Sequence, residues 1–381
     1  MLKRVILRCE DLTLSQDGLV SLLEGAKTAH LQQLAQAGTA GLLRPQTWRQ
    51  AFDRAQIHRG LVGLKEDDLE AQVGRWYAAA AGISAEPDEM IWCCDFITQQ
   101  DGRVADPTTS ALTTKEAQIL LQALDEQLGS DVRHWEVGDG FRHLLMVKEA
   151  AFSGKSPRLE SSDTLAGEDW RRRLPRNAAG EAIMALIEQA SGILENHSVN
   201  RVRLDLNENP ANCIWLWGGA SAQAKGSFSS AAGGEGTIFS SDFLLRGLSR
   251  SYGLGCQPVP QNLDEAGFQQ LAHAALQTLE KQPFLYIHVQ VRTADPVERL
   301  CAMERLDQHL LKPLSQAVSR GNGRMAVVVD SRDAGRIPFV AIGDGLAHKP
   351  VADLSVEKLQ ENALSFSDAA ELFAWLGKAE K

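Results

Sequence analysis

Short apolar runs alternate with amphipathic stretches along most of the chain. The apolar runs predict buried strands at residues 5–7, 41–43, 91–98, 213–217, 284–291, 325–330 and 338–342. Helical periodicity predicts helices between them, at residues 20–37, 180–196, 244–252 and 296–319, and a C-terminal helix from residue 366. Strands that alternate with helices are typical of an α/β fold with a mostly parallel sheet flanked by helices.

A block within residues 91–147 has a different pattern. Thr113 and Glu116 have the spacing of a capping box, which predicts the start of a helix. Two further strands are predicted at residues 133–137 and 142–147, on either side of a Gly-Asp-Gly turn. The resulting βαββ order predicts a small α+β unit.

The stretch 201–218 is the most distinctive part of the sequence. Two arginines precede a Pro-Ala-Asn turn, and an apolar run with two tryptophans follows. Trp215 and Trp217 are two residues apart, so on a strand they point to the same face, and the apolar Ile214 and Leu216 point to the other. A buried indole also needs a partner for its N–H. The stretch therefore predicts a buried strand with packed layers on both faces.

Composition narrows the classes of protein that this chain can belong to. A length of 381 residues suits two domains. A net charge of -10 argues against a nucleic-acid groove, and the sequence has no apolar run of the roughly 18 residues that a membrane span needs. The basic N-terminus is interpreted as a first strand and not as a signal peptide.

Cysteine usage indicates a reducing compartment. The six cysteines are scattered, and none forms a Cys-x-x-Cys motif. Reduced thiols in apolar segments suit a cytoplasmic protein. The adjacent Cys93 and Cys94 are interpreted as two residues of one buried strand, with a redox pair as the alternative.

Ligands of mostly parallel sheets bind at the carboxyl ends of the strands. Asp330 and the residues after Val291 lie at such ends and are the places to look for chemistry. His288 lies inside an apolar run, which favours a core histidine with satisfied nitrogens.

Several segments, in order along the chain, resemble one family. They are residues 21–38, 101–114, 141–145, 201–218, 239–254, 287–289 and 302–307. Over nearly its whole length the chain resembles the archaeal-type, cofactor-independent phosphoglycerate mutases of the alkaline phosphatase superfamily. The resemblance implies an alkaline-phosphatase-like core from residues 1–98 and 199–381, and a smaller inserted α+β domain from residues 99–198.

The resemblance also implies a chemistry. The family catalyses a glycolytic isomerisation with two Mn or Mg ions and a serine nucleophile. The serine carries the phosphoryl group between two hydroxyls of phosphoglycerate, and the metals offset the charge on the transferring group.

Most positions that this chemistry needs hold unsuited residues. Arg8 stands at or beside a metal-ligating aspartate, Phe52 at the serine, Thr293 at a second aspartate and Ser331 at a histidine, while Asp330 keeps its ligand type. An arginine cannot ligate a cation, and a phenylalanine has no nucleophilic atom. The resemblance thus predicts that catalysis and the metal cofactor are lost, with Asp330 as a residual ligand or as a carboxylate that caps a loop.

Residues on the implied substrate side are kept. Arg142, Arg201 or Arg203, Asn212 and Trp217 are candidates for contacts with a substrate or another anion. The alternative for Arg203 and Asn212 is a structural role in the turn, which asparagine favours. For Arg142 the alternative is a solvated or domain-interface role.

Three arginines lie near the carboxyl ends of predicted strands. Arg8, Arg292 and Arg332 could replace the metal charge and form an anion site without catalysis, because guanidinium groups suit phosphate. The alternative is that these arginines arose by neutral sequence drift and have no ligand. Each would then pair with a neighbouring carboxylate such as Asp11, Asp53 or Asp333.

Two functions remain open from the sequence. One is a non-catalytic binding or regulatory protein whose ligand is phosphate or a phosphorylated small molecule. The other is an active phosphoglycerate mutase, or a related metal-dependent phosphotransferase, with an atypical site.

Overall fold

The computed structural model describes residues 2–10, 26–43, 51–64, 73–148, 157–222, 228, 234–291, 293, 295–329, 337–352, 354, 359 and 364–378, with residues 51–54 described by their backbone. The chain divides into two compact units. None of the helices in these ranges has the length and apolar character needed to span a bilayer.

The described residues form thirteen strands and eleven α-helices. The strands are β1 (Lys3–Glu10), β2 (Thr39–Leu43), β3 (Glu89–Gln100), β4 (Arg103–Asp106), β5 (Arg133–Asp139), β6 (Arg142–Lys148), β7 (Cys213–Ser221), β8 (Gly236–Phe239), β9 (Gly255–Gln257), β10 (Phe284–Gln290), β11 (Gly323–Val329), β12 (Ile337–Gly343) and β13 (Leu364–Phe366). The helices are α1 (Ala29–Ala37), α2 (Ala51–Leu61), α3 (Val73–Ala81), α4 (Thr114–Leu128), α5 (Ala178–Glu195), α6 (Ser198–Asp205), α7 (Phe243–Tyr252), α8 (Glu265–Lys281), α9 (Pro296–Leu306), α10 (Lys312–Arg320) and α11 (Ala369–Gly377).

The larger unit comprises Met1–Trp48, Gln56–Lys65 and Gly226–Lys381. Its eight-stranded sheet has the order β13-β2-β12-β11-β1-β10-β8-β9. Strand β12 is antiparallel to both of its neighbours, and the other strand pairs are parallel. The predicted α/β fold with a mostly parallel sheet is therefore confirmed.

The two faces of the central strands β1 and β10 differ in character. One face carries apolar core side chains, and the other carries buried polar side chains. On β1, Val5, Leu7 and Cys9 join the hydrophobic core, as do Leu285 and Ile287 of β10. Because side chains alternate between the faces of a strand, the residues between them lie on the opposite face. That alternation places a group of buried polar side chains at the carboxyl ends of β1 and β10.

The smaller unit comprises Arg49–Ala55 and Glu66–Lys225. Its sheet has the order β4-β3-β6-β5, and β7 pairs with β3 on the other side. The long strand β3 is antiparallel to β4, β6 and β7. The capping box predicted at Thr113 and Glu116 is present at the start of α4.

The boundaries of the two units differ from the insertion expected at residues 99–198. The sequence places the strands now labelled β3 and β7 in the core, with an insertion at residues 99–198. In the structure β3 and β7 pair with each other, so that Cys93 lies opposite Trp217. Ladder hydrogen bonds thus place both strands in the sheet of the smaller unit, together with β6.

The long helix expected at residues 296–319 is interrupted. A π turn, Asp307–Leu311, lies between α9 and α10. Pro313 follows it near the start of α10. In a regular helix proline has no N–H to donate and its ring meets the carbonyl four residues earlier, so a wider turn accommodates it.

Candidate functional site

Six buried polar residues gather at the carboxyl edge of the large sheet. They are Arg8 and Glu10 of β1, His58 of α2, Tyr286 and His288 of β10, and Ser240 after β8. Parallel pairing sets Arg8 opposite His288, so their side chains leave the same face of the sheet. A charged group in such a buried place needs a partner.

Arg8 is fully buried, and among the described residues its guanidinium contacts a carboxylate and an imidazole. Its Nη2 is 3.1 Å from Oε1 of Glu10, which makes a buried ion pair. Its Nη1 donates toward the ring of His58, at 2.9 Å from Nδ1 and 3.2 Å from Nε2. The ion pair balances the charge of Arg8 within the site.

His288 has a partner at each ring nitrogen. Its Nε2 lies 2.9 Å from Oε2 of Glu10, and its Nδ1 lies 3.0 Å from the hydroxyl of Ser240. That hydroxyl oxygen also accepts from the backbone N–H of Asp242 at 3.0 Å. His288 is thus held in one orientation by groups from β1 and from the end of β8.

His58 approaches the same point from α2. Its Nδ1 lies 2.7 Å from the hydroxyl of Tyr286. Its ring packs edge-on against His288 with centroids 4.8 Å apart. Ligand atoms of Glu10, His58 and His288 lie within 4.8 Å of one another. Among the described residues, no other three His, Cys, Asp or Glu side chains come close enough together to hold a metal ion. A carboxylate with two imidazoles is a ligand set that suits transition metals.

A cavity of about 370 Å³ opens beside His288. Its polar lining includes Asp242, Gln290, Thr293 and Glu298. Two of these residues are acidic, so this part of the lining favours cations over anions. Thr293 also accepts the backbone N–H of Asp295 through its hydroxyl, at 3.2 Å.

In the smaller unit Arg142 and Trp217 meet at a buried carboxylate. Arg142 donates to both oxygens of Asp95, each at 2.8 Å, and its Nη1 donates to the Tyr77 hydroxyl at 2.9 Å. The indole of Trp217 and the hydroxyl of Ser162 also donate to Asp95, at 2.8 and 2.7 Å. Asp95 therefore supplies the partner that a buried tryptophan needs.

Arg203 and Asn212 lie elsewhere in the smaller unit. Arg203 is buried and donates to Glu116 at 3.0 Å and to the carbonyl of Asn209 at 2.8 Å. Asn212 exchanges two hydrogen bonds with the backbone of Gln99, at 2.8 and 2.9 Å. These contacts fit the structural alternative. Anion binding by Arg142, Arg203, Asn212 or Trp217 stays a prediction.

Cys93 and Cys94 are buried neighbours in β3. Burial is the main cause that raises the pKa of each thiol, with the Asp95 charge adding to it. A raised pKa disfavours the reactive thiolate. Both residues therefore behave as apolar core side chains.

Several predicted site residues lie outside the described part of the chain. They are Arg292, Asp330, Ser331, Arg332 and the side chain of Phe52. Of the residues at the implied catalytic positions, Arg8 and Thr293 are described.

Sequence reasoning missed Glu10 and His58. Glu10 ends the first strand and is a charged residue directly after an apolar run, which is a signal that could have been used. His58 lies in a polar helix 50 residues from Arg8 in the chain, so no spacing pattern links the two.

The fold and the cluster define a class: an α/β protein with a ligand-type site at the carboxyl edge of a mostly parallel sheet. The sequence model of the 2,3-bisphosphoglycerate-independent phosphoglycerate mutases matches residues 35–200. The enzyme of that name from Methanosarcina acetivorans is 25% identical over 328 residues, which cover 84% of this chain and 82% of the relative. Mutase 2 from Methanothermobacter thermautotrophicus is 27% identical over 368 residues, covering 92% and 90%.

Solved structures agree at the level of the fold. A cofactor-independent phosphoglycerate mutase from Thermoplasma acidophilum aligns with a TM-score of 0.61 at 19% identity, over 99% of both chains. A protein from Pyrococcus horikoshii aligns with a TM-score of 0.71 at 16% identity, over 100% of this chain and 98% of its own. The chain is therefore a homologue of the archaeal-type, cofactor-independent phosphoglycerate mutases, as the sequence resemblance indicated.

Proposed function

We propose that this chain is a non-catalytic homologue of phosphoglycerate mutase that acts as a binding or regulatory protein. The proposal depends on one observation, the buried guanidinium of Arg8 beside Glu10 and His58. A two-metal phosphoryl-transfer site needs carboxylates and imidazoles whose lone pairs face the ions. Here a side chain that is always charged engages two of the ligand-type groups.

The Mn or Mg ions that the homology implies do not fit the described cluster. Mg²⁺ takes about six ligands in octahedral geometry, and both ions favour oxygen donors. The cluster offers one carboxylate and two imidazoles. Phenylalanine at position 52, the implied nucleophile, supports the same conclusion from the sequence.

The proposed ligand is phosphate or a phosphorylated small molecule. Arg8 already has a carboxylate partner, so the charge for such an anion falls to Arg292 and Arg332. The cysteines are free thiols, which supports the proposed cytoplasmic location.

A mutase assay tests the proposal. The purified chain is given 3-phosphoglycerate with Mn²⁺ or Mg²⁺, and the Methanosarcina acetivorans relative serves as the positive control. We expect no turnover above the background of an Asp330→Asn variant. Turnover in the wild type that is lost in Asp330→Asn would show that the chain is an enzyme.

An active enzyme with an atypical ligand set is the second candidate. The observation in its favour is the group of Glu10, His58 and His288. A metal-dependent phosphatase or mutase activity that responds to substitution of these residues would support it over the non-catalytic function.

A further inference from the structure

We propose that Glu10, His58 and His288 bind one transition-metal ion of the zinc or cobalt class, in competition with Arg8. His58 and His288 are not among the positions that the sequence resemblance assigns to metal ligands, and Glu10 lies two residues after Arg8 on the same strand. The site also differs in kind, because it takes one ion of a class that favours imidazole and not two hard ions. The inference is independent of the proposed function, since one bound ion does not supply a two-metal reaction.

The donor set and its spacing are close to what one ion requires. Zinc sites with two histidines and one glutamate have metal–ligand bonds of about 2.0–2.2 Å, which place donor atoms roughly 3.4 Å apart. Glu10 Oε2 and His288 Nε2 are 2.9 Å apart, and all three donors lie within 4.8 Å. Metal binding requires the Glu10–His288 distance to lengthen slightly and the His58 nitrogen to move closer to the other two donor atoms.

Glu10 can serve Arg8 and a metal at the same time. Its Oε1 faces Arg8 and its Oε2 faces His288. An ion that binds Oε2 therefore leaves the ion pair with Arg8 in place. A carboxylate held by a second group in this way has a fixed orientation, which favours ligation.

His288 can present a lone pair to the ion without losing a proton overall. While its Nε2–H donates to Glu10, its Nδ1 accepts from Ser240. When Nε2 binds a metal, the proton moves to Nδ1, and the Ser240 oxygen changes from donor to acceptor. Hydrogen-bonded histidine ligands of this kind are the rule in metal sites.

Arg8 is the competitor. Its Nη1 is hydrogen-bonded to the ring of His58, so His58 must turn a nitrogen away from the guanidinium to bind a metal. The positive charge of Arg8 also opposes a cation nearby. Removal of that charge is therefore expected to strengthen metal binding, whereas removal of any of the three ligands weakens it.

The cavity beside His288 supplies a path to the site. His288 lines it together with Asp242 and Glu298. Acidic groups in a cleft raise the local concentration of cations. We expect the metal to reach His288 through this cavity.

Cobalt binding tests the inference. Co²⁺ is titrated into the metal-stripped full chain, and binding is followed by visible absorption and by metal content after dialysis. We expect one ion per chain in the wild type and at least tenfold tighter binding in Arg8→Met. Glu10→Gln, His58→Gln and His288→Gln are each expected to weaken binding at least tenfold.

The matched control is His309→Gln, which changes a histidine beside Glu265, outside the cluster. It should bind Co²⁺ as the wild type does. Absence of stoichiometric Co²⁺ binding in both the folded wild type and folded Arg8→Met would overturn the inference. So would binding that the three ligand substitutions leave unchanged. If Arg8→Met does not fold, the comparison of wild type with His288→Gln decides. A bound ion without mutase turnover supports the inference and leaves the proposed function intact, whereas turnover refutes the proposed function alone.

Discussion

His143 is a buried imidazole in β6 whose ionisation is coupled to folding. The backbone N–H of Gly138 donates to its Nδ1 at 3.0 Å, and its Nε2–H donates to the carbonyl of Gly140 at 2.9 Å. Burial lowers the pKa of His143 from 6.5 to about 4, against smaller opposing effects of Gly140 and Asp139. The ring is therefore neutral in the folded protein at neutral pH.

This shift predicts an acid sensitivity. Between pH 6.5 and about 4 the unfolded chain binds a proton at His143 and the folded chain does not. The unfolded state binds more protons in that window, so stability falls as the pH is lowered through it. A difference of this size corresponds to about 3 kcal/mol. Urea denaturation at a series of pH values should show this loss in the wild type and its absence in His143→Gln.

The control is His134→Gln, which changes a partly exposed imidazole in the neighbouring strand β5. Because this variant keeps His143, it should still lose stability between pH 6.5 and about 4. An identical slope in His143→Gln and wild type would contradict the coupling of His143 to folding.

At the residue scale, the sequence predicted where some site residues lie on their strands, but it did not predict which side chains they contact. It placed Arg8 and His288 near strand ends, and it identified Trp217 as a residue that needs a partner for its N–H. It did not find Glu10 as the partner of Arg8, or Asp95 as the partner of Trp217. Asp95 is 122 residues from Trp217, and such pairs depend on strand register, which alternation does not fix between distant segments.

At the scale of elements, α1 depends on a cap from a distant part of the chain. Thr28 precedes the helix, and its side chain makes no capping bond among the described residues. Asp307, in the π turn, accepts from the backbone N–H of His30 at 3.0 Å and of Leu31 at 2.8 Å. These are two of the N–H groups that a helix start leaves without a partner inside the helix.

Removal of this carboxylate should loosen α1. Asp307→Ala leaves both N–H groups without their acceptor, and loss of a cap costs about 1–2 kcal/mol. Asp307→Asn is the matched control, because its amide oxygen can still accept one bond. Burial raises the pKa of Asp307, against the opposing effect of the hydrogen bonds from His30 and Leu31.

Hydrogen exchange at the His30 and Leu31 amides measures the effect directly. We expect faster exchange in Asp307→Ala than in Asp307→Asn, together with a lower midpoint of urea unfolding. Equal protection of these amides in Asp307→Ala and the wild type would show that the cap is not needed.

Elements with strong local signals were predicted correctly. The strand at residues 284–290 is continuous and apolar, and α7 ends at Gly253, which has a φ of 73°. The break at Asp307–Leu311 was missed. Helical periodicity continues across a π turn, so the apolar pattern does not mark its position.

At the scale of the whole molecule, the core side chains and the candidate-site side chains lie on opposite faces of the same strands. The core face of β1 carries Val5, Leu7 and Cys9, and the site face carries Arg8 and Glu10. Substitutions on the site face need not disturb the packing of the core face. A chain can therefore keep the mutase fold while the groups at the sheet edge change.

The central claim is that the sheet edge does not form a two-metal phosphoryl-transfer centre. The most direct test is a crystal structure of the full chain soaked with Mn²⁺ and 3-phosphoglycerate, with the metal located by anomalous scattering. We predict no pair of Mn²⁺ ions at this edge and no phosphoglycerate bridging two ions. Two ions roughly 3.5–4 Å apart with the phosphate between them, as in two-metal enzymes, would contradict it.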